Sequence, residues 1–264
     1  MSVLKKIVEH KKKEVDQGKS QYPIKLLEQS KWFASPAESL KKHLRQKDKS
    51  GIIAEFKRKS PSKGVINDSV SVGQVSAGYV QAGASALSIL TDHNFFGGSN
   101  EDLREARKIN QCPILRKDFT IDEYQVIEAK STGADAILLI AAILEPQQVR
   151  QLTDVAHSIG LEVLLEVHSV EELYPHLFTP VDLIGVNNRN LNTFEVNPDT
   201  SKKIAPFIPE EVIKISESGI SNPKTIVELK SYGFEGFLIG ENFMKHIQPE
   251  LAAKEFINKL GSLQ

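Results

Sequence analysis

Hydrophobic and polar positions follow a regular pattern from Gly51 onward. Short apolar runs of strand length alternate with stretches of helical periodicity, and turn residues separate them. The apolar runs predict strands at residues 52–56, 86–90, 113–115, 136–140, 162–167, 182–186, 212–215 and 236–239. The amphipathic stretches predict helices that include residues 72–82, 100–109, 121–131, 146–159 and 223–231.

Eight strand–helix units fit a (β/α)8 barrel, whose usual size is about 250 residues. A doubly wound open sheet is the alternative, but it usually has fewer strands and needs a switch point. Moreover, no Gly-x-Gly-x-x-Gly motif follows the first strand. We therefore predict an α/β fold with a single (β/α)8 TIM barrel in residues 49–264.

Residues 1–48 have a different pattern, in which apolar residues from Val3 to Val15 recur at helical spacing among lysines. Two more short helices are predicted at 23–29 and 36–46. For the second of these, we expect Ser35 to act as the cap, with Pro36 at the first helical position. The pattern predicts an N-terminal helical extension.

Composition narrows the class of protein. The 264 residues carry a net charge of −1, which gives no reason to expect nucleic acid or an anionic membrane as a partner. The single cysteine, Cys112, allows no intrachain disulfide and favours a reducing compartment. The longest apolar run, 136–144, is far shorter than the roughly 18 residues of a membrane helix. We expect a soluble, cytoplasmic monomer.

Charged residues lie where the first predicted strand ends. Side chains alternate along a strand, so Ile53, Glu55 and Lys57 share one face. Inward charges are costly to bury unless they are paired or face a wet cavity. Seven of the eight predicted strand ends are polar, whereas the strand interiors are almost entirely aliphatic. Because the C-terminal ends of barrel strands carry the chemistry, this asymmetry predicts an active site there.

Two ionisable residues at these strand ends are candidates for acid–base chemistry. Lys117 suits a general acid if neighbouring cations and partial burial lower its pKa, and the alternative is a surface ion pair with Asp118. Partial desolvation should raise the pKa of Glu166 toward a useful value. Its alternative is a structural ion pair with Lys57 or Lys117. We expect His168 to point away from Glu166.

The remaining strand ends indicate a phosphorylated, polyoxygenated small molecule. Asn187 and Arg189 share a face and suit substrate hydroxyls. The loops that start at Ser218-Gly219 and at Gly240-Glu241 precede helices and offer backbone N–H groups, which predicts phosphate binding. The alternative is that their glycines only make tight turns. No metal-ligand spacing or nucleotide motif is present, so we expect no metal and no cofactor.

Taken together, the strand ends resemble those of one family, indole-3-glycerol phosphate synthase of tryptophan biosynthesis. The resemblance covers residues from about 50 to 245, and its motifs include Glu-Phe-Lys-Arg-Lys-Ser-Pro-Ser-Lys-Gly (55–64) and Ser-Glu-Ser-Gly-Ile (216–220). The other matching segments are residues 52–54, 91–98, 113–119, 164–168, 184–191 and 237–241. The N-terminal extension also looks like that of the family, which packs beside the barrel mouth.

The resemblance implies a decarboxylating lyase that makes indole-3-glycerol phosphate from 1-(2-carboxyphenylamino)-1-deoxyribulose 5-phosphate. It implies that Lys117 protonates the ketone during ring closure, that Glu166 serves the dehydration, and that Lys57 pairs with a substrate anion. The implied catalytic group is Lys117, Glu166, Lys57, Glu55, Asn187 and Glu217. The implied substrate and phosphate contacts are Ser60, Phe119, Leu138, Arg189, Leu191, Ser218, Gly219, Gly240 and Glu241. At Glu241 we expect only the backbone N–H to serve, because a carboxylate repels phosphate.

Two other functions stay open at this point. Another phosphate-binding barrel isomerase, such as phosphoribosylanthranilate isomerase, predicts an Asp/Cys acid–base pair, but Cys112 precedes its strand. A non-catalytic ligand-binding barrel is the second alternative, and the charged strand ends argue against it. Because the chain ends soon after one barrel, we expect the form that is not fused to the isomerase. The loop at residues 58–64 is a candidate flap over the phosphate.

Overall fold

The protein is described by a computed structural model, which covers residues 3–191 and 193–263. Eight parallel strands form a closed barrel in which each strand pairs with the next along the chain, and the last pairs with the first. The strands are β1 (Ile52–Phe56), β2 (Ala86–Leu90), β3 (Ile114–Lys117), β4 (Ala136–Ile140), β5 (Glu162–Val167), β6 (Leu183–Asn187), β7 (Ile213–Glu217) and β8 (Phe234–Ile239). The predicted (β/α)8 barrel is confirmed.

Helical segments precede the barrel and follow its strands. The extension contains α1 (Val3–Gln21), α2 (Ile24–Leu27) and α3 (Leu40–Leu44). The barrel contains α4 (Val72–Gln81), α5 (His93–Phe96), α6 (Asn100–Ile109), α7 (Glu123–Thr132), α8 (Pro146–Ser158), α9 (Val170–Leu173), α10 (Asp199–Ile204), α11 (Pro223–Lys230), α12 (Glu241–Met244) and α13 (Pro249–Gly261). The 3-10 turns within the described residues are Ala141–Ile143, Tyr174–His176 and Ala205–Phe207. Within the described residues, no helix is both long and apolar enough to cross a membrane.

The predicted start of the third N-terminal helix is wrong. The helix begins at Leu40 rather than Pro36, and its cap is Ser39, whose hydroxyl accepts a hydrogen bond from the Lys42 N–H. The residues before it are held extended by the barrel: the Glu38 N–H donates to Asp135 at 2.8 Å, and the Ser39 hydroxyl donates to Glu162 at 2.6 Å. These partners are about a hundred residues away, so the local Ser-Pro signal does not decide where the helix begins.

Apolar packing occupies both faces of the barrel wall. Inward residues such as Ile53, Leu164 and Ile215 fill the interior, and α3 closes its N-terminal end with Leu40 and Leu44. The residues that alternate with them pack outward against the helices. The predicted alternation along β1 is therefore confirmed, because Ile53 belongs to the interior and its strand neighbours to the outer layer. The C-terminal end of the barrel is left for polar side chains.

The segment after β1 contains a short hairpin that the sequence did not predict. Lys59–Ser60 pairs antiparallel with Gly64–Val65, within what was expected to be only a loop. The turn between them closes at Gly64, which has a φ of +68° that glycine adopts readily. Lys59 also donates to the Asn94 carbonyl at 2.7 Å. The hairpin thus lies against α5, the short helix that follows β2, at the edge of the barrel mouth.

Candidate active site

A cleft of about 980 Å³, which includes space open to solvent, occupies the C-terminal end of the barrel. Its walls contain the six residues of the implied catalytic group, which come from five different strands and their ends. They are Glu55, Lys57, Lys117, Glu166, Asn187 and Glu217. The barrel thus brings together residues that lie far apart in the chain.

Lys117, the last residue of β3, lies between two carboxylates. Its Nζ atom is 2.7 Å from Glu166 Oε2 and 2.8 Å from Glu217 Oε2. Burial alone lowers the pKa of Lys117, but the negative charges of Glu166, Glu217 and Glu55 outweigh it, so the pKa lies above the usual range. The expectation that neighbouring cations lower this pKa is wrong. The resting site holds Lys117 as an ammonium ion.

The alternative interpretation, in which Lys117 forms an ion pair with Asp118, is wrong. The Asp118 carboxylate pairs with Lys11 at 2.8 Å and with Arg116 at 3.5 Å, and it accepts a hydrogen bond from the Thr91 hydroxyl. Burial raises the pKa of Asp118, but Lys11 and Arg116 more than compensate and hold it at about 2. Because adjacent strand residues point to opposite faces, Asp118 anchors the outer side of the strand end while Lys117 faces the cleft.

Glu166 departs from the expectation in two respects. Burial raises its pKa, but Lys117 and His168 outweigh this effect and hold the pKa well below the ordinary value. Glu166 is therefore ionised, rather than poised near neutral pH as predicted. His168 also does not point away: its Nε2 atom lies 3.3 Å from Glu166 Oε1. Residues two apart along a strand share a face, which explains the contact.

Glu217 carries the raised pKa that was expected of Glu166. It ends β7, is 1% exposed, and its Oε1 atom has no hydrogen-bond partner in the part of the chain that the structure describes. Burial, together with the charges of Glu166 and Glu55, raises the pKa of Glu217 to about 7 against the opposing effect of Lys117. The sequence offers little signal for this, since the shift depends on neighbours from three other strands.

Glycines in the barrel wall leave room for two of the carboxylates. A methyl group on Gly185 would collide with the Glu217 carboxylate, and one on Gly240 would collide with that of Glu55. Glu55 is buried, pairs with Lys57 at 2.5 Å, and lies 3.4 Å from the Ser88 hydroxyl. Glu55 and Lys57 therefore contact each other, and both line the same cleft as Lys117.

The apolar side of the cleft suits an aromatic ring. Phe119, Leu138 and Leu191 line it as expected, and Phe119 also packs against Phe96 with ring centroids 5.9 Å apart. The N-terminal extension, which the resemblance placed beside the barrel mouth, supplies further lining by residues that were not predicted. The additional residues, all on α1, are Val3, Leu4 and Ile7. The signal was present as their helical spacing, but spacing alone does not indicate which surface a helix covers.

A second cavity, of about 1,050 Å³ including open space, adjoins the first beside the ends of β7 and β8. Ser218, Gly219, Gly240 and Glu241 line it, whereas Ser60 lines only the first cavity. Ser218 and Gly219 have φ values of 67° and 75°. This left-handed pair precedes α11, which Asn222 caps by accepting a hydrogen bond from the Lys224 N–H.

Charged side chains surround this second cavity. Arg189 donates to Glu241 at 2.9 Å, and Lys63 lies 3.5 Å from the same carboxylate. Lys63 and Lys245, which were not predicted, also line the cavity. The Glu241 side chain is thus drawn toward cations at the rim, and its backbone begins α12. This geometry favours a bound anion that is contacted by backbone N–H groups and lysines.

Asn187 and Asn188 have different surroundings. The Asn187 side-chain oxygen accepts a hydrogen bond from the Arg189 N–H at 3.0 Å, at the edge of the cleft. Asn188 is buried and forms hydrogen bonds with the hydroxyl groups of Ser201 and Ser216, away from the cleft. Across residues 3–191 and 193–263, no group of three or more His, Cys, Asp or Glu residues is arranged to hold a metal ion.

Comparison with solved structures supports the fold. The chain is similar to thiamine phosphate pyrophosphorylase from Pyrococcus furiosus, with a TM-score of 0.59 and 16% identity over 83% of this chain and 98% of that one. It is also similar to the N-acetylmannosamine-6-phosphate 2-epimerase from Clostridium perfringens, with a TM-score of 0.60 and 17% identity over 81% and 94%. At these identities the likeness concerns the fold alone.

Sequence comparisons identify the family. The family model of indole-3-glycerol phosphate synthase matches residues 4–256. A protein of that name from Bacteroides thetaiotaomicron is 48% identical over 258 residues, which is 98% of each chain. Another from Caldanaerobacter subterraneus is 42% identical over 259 residues, again 98% of each chain. The chain therefore belongs to the indole-3-glycerol phosphate synthase family.

Proposed function

We propose that Lys117 is the general acid of the ring closure that this decarboxylating lyase catalyses. The family reaction converts 1-(2-carboxyphenylamino)-1-deoxyribulose 5-phosphate to indole-3-glycerol phosphate, CO2 and water. One observation carries the assignment of the acid: the Lys117 ammonium group lies between Glu166 and Glu217 at the floor of the cleft. These two buried carboxylates keep the Lys117 amine protonated until a substrate arrives.

The two cavities together match the two ends of this substrate. The apolar wall formed by Phe119, Leu138 and Leu191 suits the anthranilate ring. The phosphate suits the adjoining cavity, where the N–H groups after Ser218 and Gly240 and the lysine side chains provide positive potential. The ketone of the sugar chain then lies between them, within reach of Lys117. Holding both ends fixes the reacting carbons near each other, which itself accelerates the ring closure.

In the first step, the ring carbon that bears the carboxylate attacks the ketone carbon. The ketone oxygen takes a proton from Lys117 and becomes a hydroxyl group. Loss of CO2 then leaves its bonding electron pair in the ring and restores aromaticity. The amino nitrogen makes the ring electron-rich, so the protein needs to supply only acid and charge stabilisation.

In the last step, a proton leaves the ring methylene and the hydroxyl group departs as water. Glu166, which is ionised in the resting site, is suited to accept the methylene proton. Lys57 is another cation in the cleft and is suited to give the departing hydroxyl the proton with which it leaves as water. Glu217, whose pKa is about 7, can hold or release a proton beside Lys117 at neutral pH.

Incubation of the purified protein with 1-(2-carboxyphenylamino)-1-deoxyribulose 5-phosphate tests this function. Indole absorbance and fluorescence should rise, and phosphoribosylanthranilate should not be isomerised. Well-folded protein that produces no indole signal would refute the proposal. A monomeric state, a cytoplasmic location and a division between residues 1–48 and 49–264 stay predictions.

A further inference from the structure

His168 lies next to the proposed acid–base group but has no part in the steps above. It directly follows β5, and its side chain is 9% exposed. Its Nε2 atom is 3.3 Å from Glu166 Oε1, while the other oxygen of Glu166 faces Lys117 at 2.7 Å. Its Nδ1 atom is 3.0 Å from Glu172 Oε2. Glu166 therefore has a different cation on each carboxylate oxygen.

The short helix α9 fixes the imidazole in this place. Ser169 caps the helix by accepting a hydrogen bond from the Glu172 N–H. Glu172 reaches back so that its Oε2 atom accepts both the His168 backbone N–H, at 2.8 Å, and the imidazole. In a capping box, the glutamate at this position would instead accept the N–H of the cap residue itself, which here is Ser169. The imidazole contact adds an orientation for His168 that the cap does not need.

We propose that His168 is a positioning residue that keeps Glu166 ionised and oriented while Lys117 gives its proton to the substrate. The inference rests on the proposed function. When Lys117 becomes a neutral amine, Glu166 loses the cation on its Oε2 atom. Without His168, Glu166 would compete with the ketone oxygen for the Lys117 proton. The imidazolium on Oε1 leaves Glu166 a base for the dehydration.

The charges around the pair agree with this role. Lys117 from β3 and Glu217 from β7 interact electrostatically with Glu166, and Glu172 from α9 does so with His168. Glu55 from β1 acts one step further away, on Lys117 and Glu217. Arg189, after β6, shares a side cavity with His168. Burial lowers the pKa of His168, but Glu166 and Glu172 outweigh it and raise the pKa to about 10. The imidazole therefore carries a positive charge throughout the neutral range.

The test is His168→Gln, which removes the positive charge but keeps a polar side chain. Because an opposite charge a few ångströms away lowers a carboxyl pKa by about 1–3 units, the acidic limb of the kcat/KM profile should move to higher pH by about one unit or more. kcat should fall with little change in KM. His168→Lys should return the limb toward its original position. The matched control is His157→Gln, since His157 pairs with Asp182 on the barrel exterior and should leave the limb unchanged.

An acidic limb that stays in place in folded His168→Gln would overturn the proposal. If that variant does not fold, Glu172→Gln should shift the limb in the same direction, and no shift would again overturn it. A measurement that needs no turnover distinguishes a failure of this proposal from a failure of the proposed function. In 15N NMR of the parent protein, the His168 imidazole should stay doubly protonated at pH 7.5. A neutral imidazole there would contradict the proposal even if indole is formed.

Discussion

The Nζ atom of Lys11 lies 2.8 Å from Oδ1 of Asp118, the residue that directly follows Lys117. Lys11 is 1% exposed and also pairs with Asp92 at 3.0 Å and with Glu14 at 2.9 Å. The three carboxylates raise the pKa of Lys11 although burial lowers it. The N-terminal helix is therefore joined to the ends of β2 and β3 by a buried ion cluster. The extension covers the cleft and is anchored beside the proposed acid.

Replacement of Lys11 by methionine should destabilise the protein. Asp118 and Asp92 would stay buried without their shared cation, and breaking a buried pair in this way typically costs about 3–5 kcal/mol. Urea unfolding measures the change in the free energy of unfolding. The control is Lys12→Met on the exposed side of α1, which should change it by about 0.5 kcal/mol or less. Equal effects of the two substitutions would contradict the anchoring role.

Gly185→Ala should reduce activity through Glu217. The added methyl group would meet the Glu217 carboxylate and displace it from Lys117. A misplacement of about 1 Å in an active site can lower the rate roughly 10²-fold, so we expect a loss of that order in kcat. Indole formation measures it. Gly261→Ala is the control, because its added methyl meets no described atom within 4 Å. Unchanged kcat in folded Gly185→Ala would show that the Glu217 position does not matter.

Glu217 should make stability depend on pH. Burial raises its pKa to about 7 in the folded protein, compared with 4.5 for an ordinary glutamate side chain, so the folded protein keeps a proton that the unfolded chain has already released. This contribution is fully present below pH 4.5 and is lost as the pH rises through about 7. The advantage of the parent over Glu217→Gln in the free energy of unfolding should therefore fall by about 2–3 kcal/mol from about pH 5 to about pH 8.

Denaturant titrations at several pH values measure this difference. Glu210→Gln, which removes an exposed carboxylate before β7, is the control and should give a difference that hardly changes with pH. If the stability difference between the parent and Glu217→Gln also does not change with pH, Glu217 ionises with the pKa of an ordinary glutamate. A difference that grows with pH would reverse the sign and would mean that Lys117 outweighs burial.

Glu241→Gln should strengthen phosphate binding. The Glu241 carboxylate occupies Arg189 and Lys63 at the rim of the second cavity, and its own charge opposes an incoming anion. Its removal should lower the inhibition constant of inorganic phosphate about twofold to fivefold, the scale of a partly exposed charge pair. Competitive inhibition of indole formation measures the constant. Weaker inhibition would mean that the carboxylate supports the site, for example by orienting Arg189.

The regular part of the chain was predictable because its signals are local. Strand alternation placed Ile53, Glu55 and Lys57 on one face, and Ile53 indeed belongs to the barrel interior. Barrel geometry then collects the strand ends without further information. The fold, and the gathering of polar strand ends at one end of the barrel, therefore followed from pattern.

What the sequence did not reveal depends on contacts between distant segments. Lys11 is one of the lysines between the apolar positions of the N-terminal helix, and nothing in that pattern distinguishes it from its neighbours. It is nevertheless buried, because Asp92 and Asp118 contact it from the barrel. The raised pKa that was expected of Glu166, and that is instead found at Glu217, has the same origin. Both carboxylates contact Lys117, but His168 lies beside only one of them. This difference between the two carboxylates arises from side-chain positions on neighbouring strands, which residue spacing along the chain does not predict.

The most direct test of the proposed acid is Lys117→Ala, assayed with 1-(2-carboxyphenylamino)-1-deoxyribulose 5-phosphate. Loss of the positioned acid should lower kcat by about 10²-fold or more, the usual scale for general acid catalysis, while the substrate still binds. Lys108→Ala, which removes an exposed lysine from α6, should leave kcat unchanged. A folded Lys117→Ala protein that retains kcat within a few-fold of the parent would contradict the assignment of Lys117 as the acid.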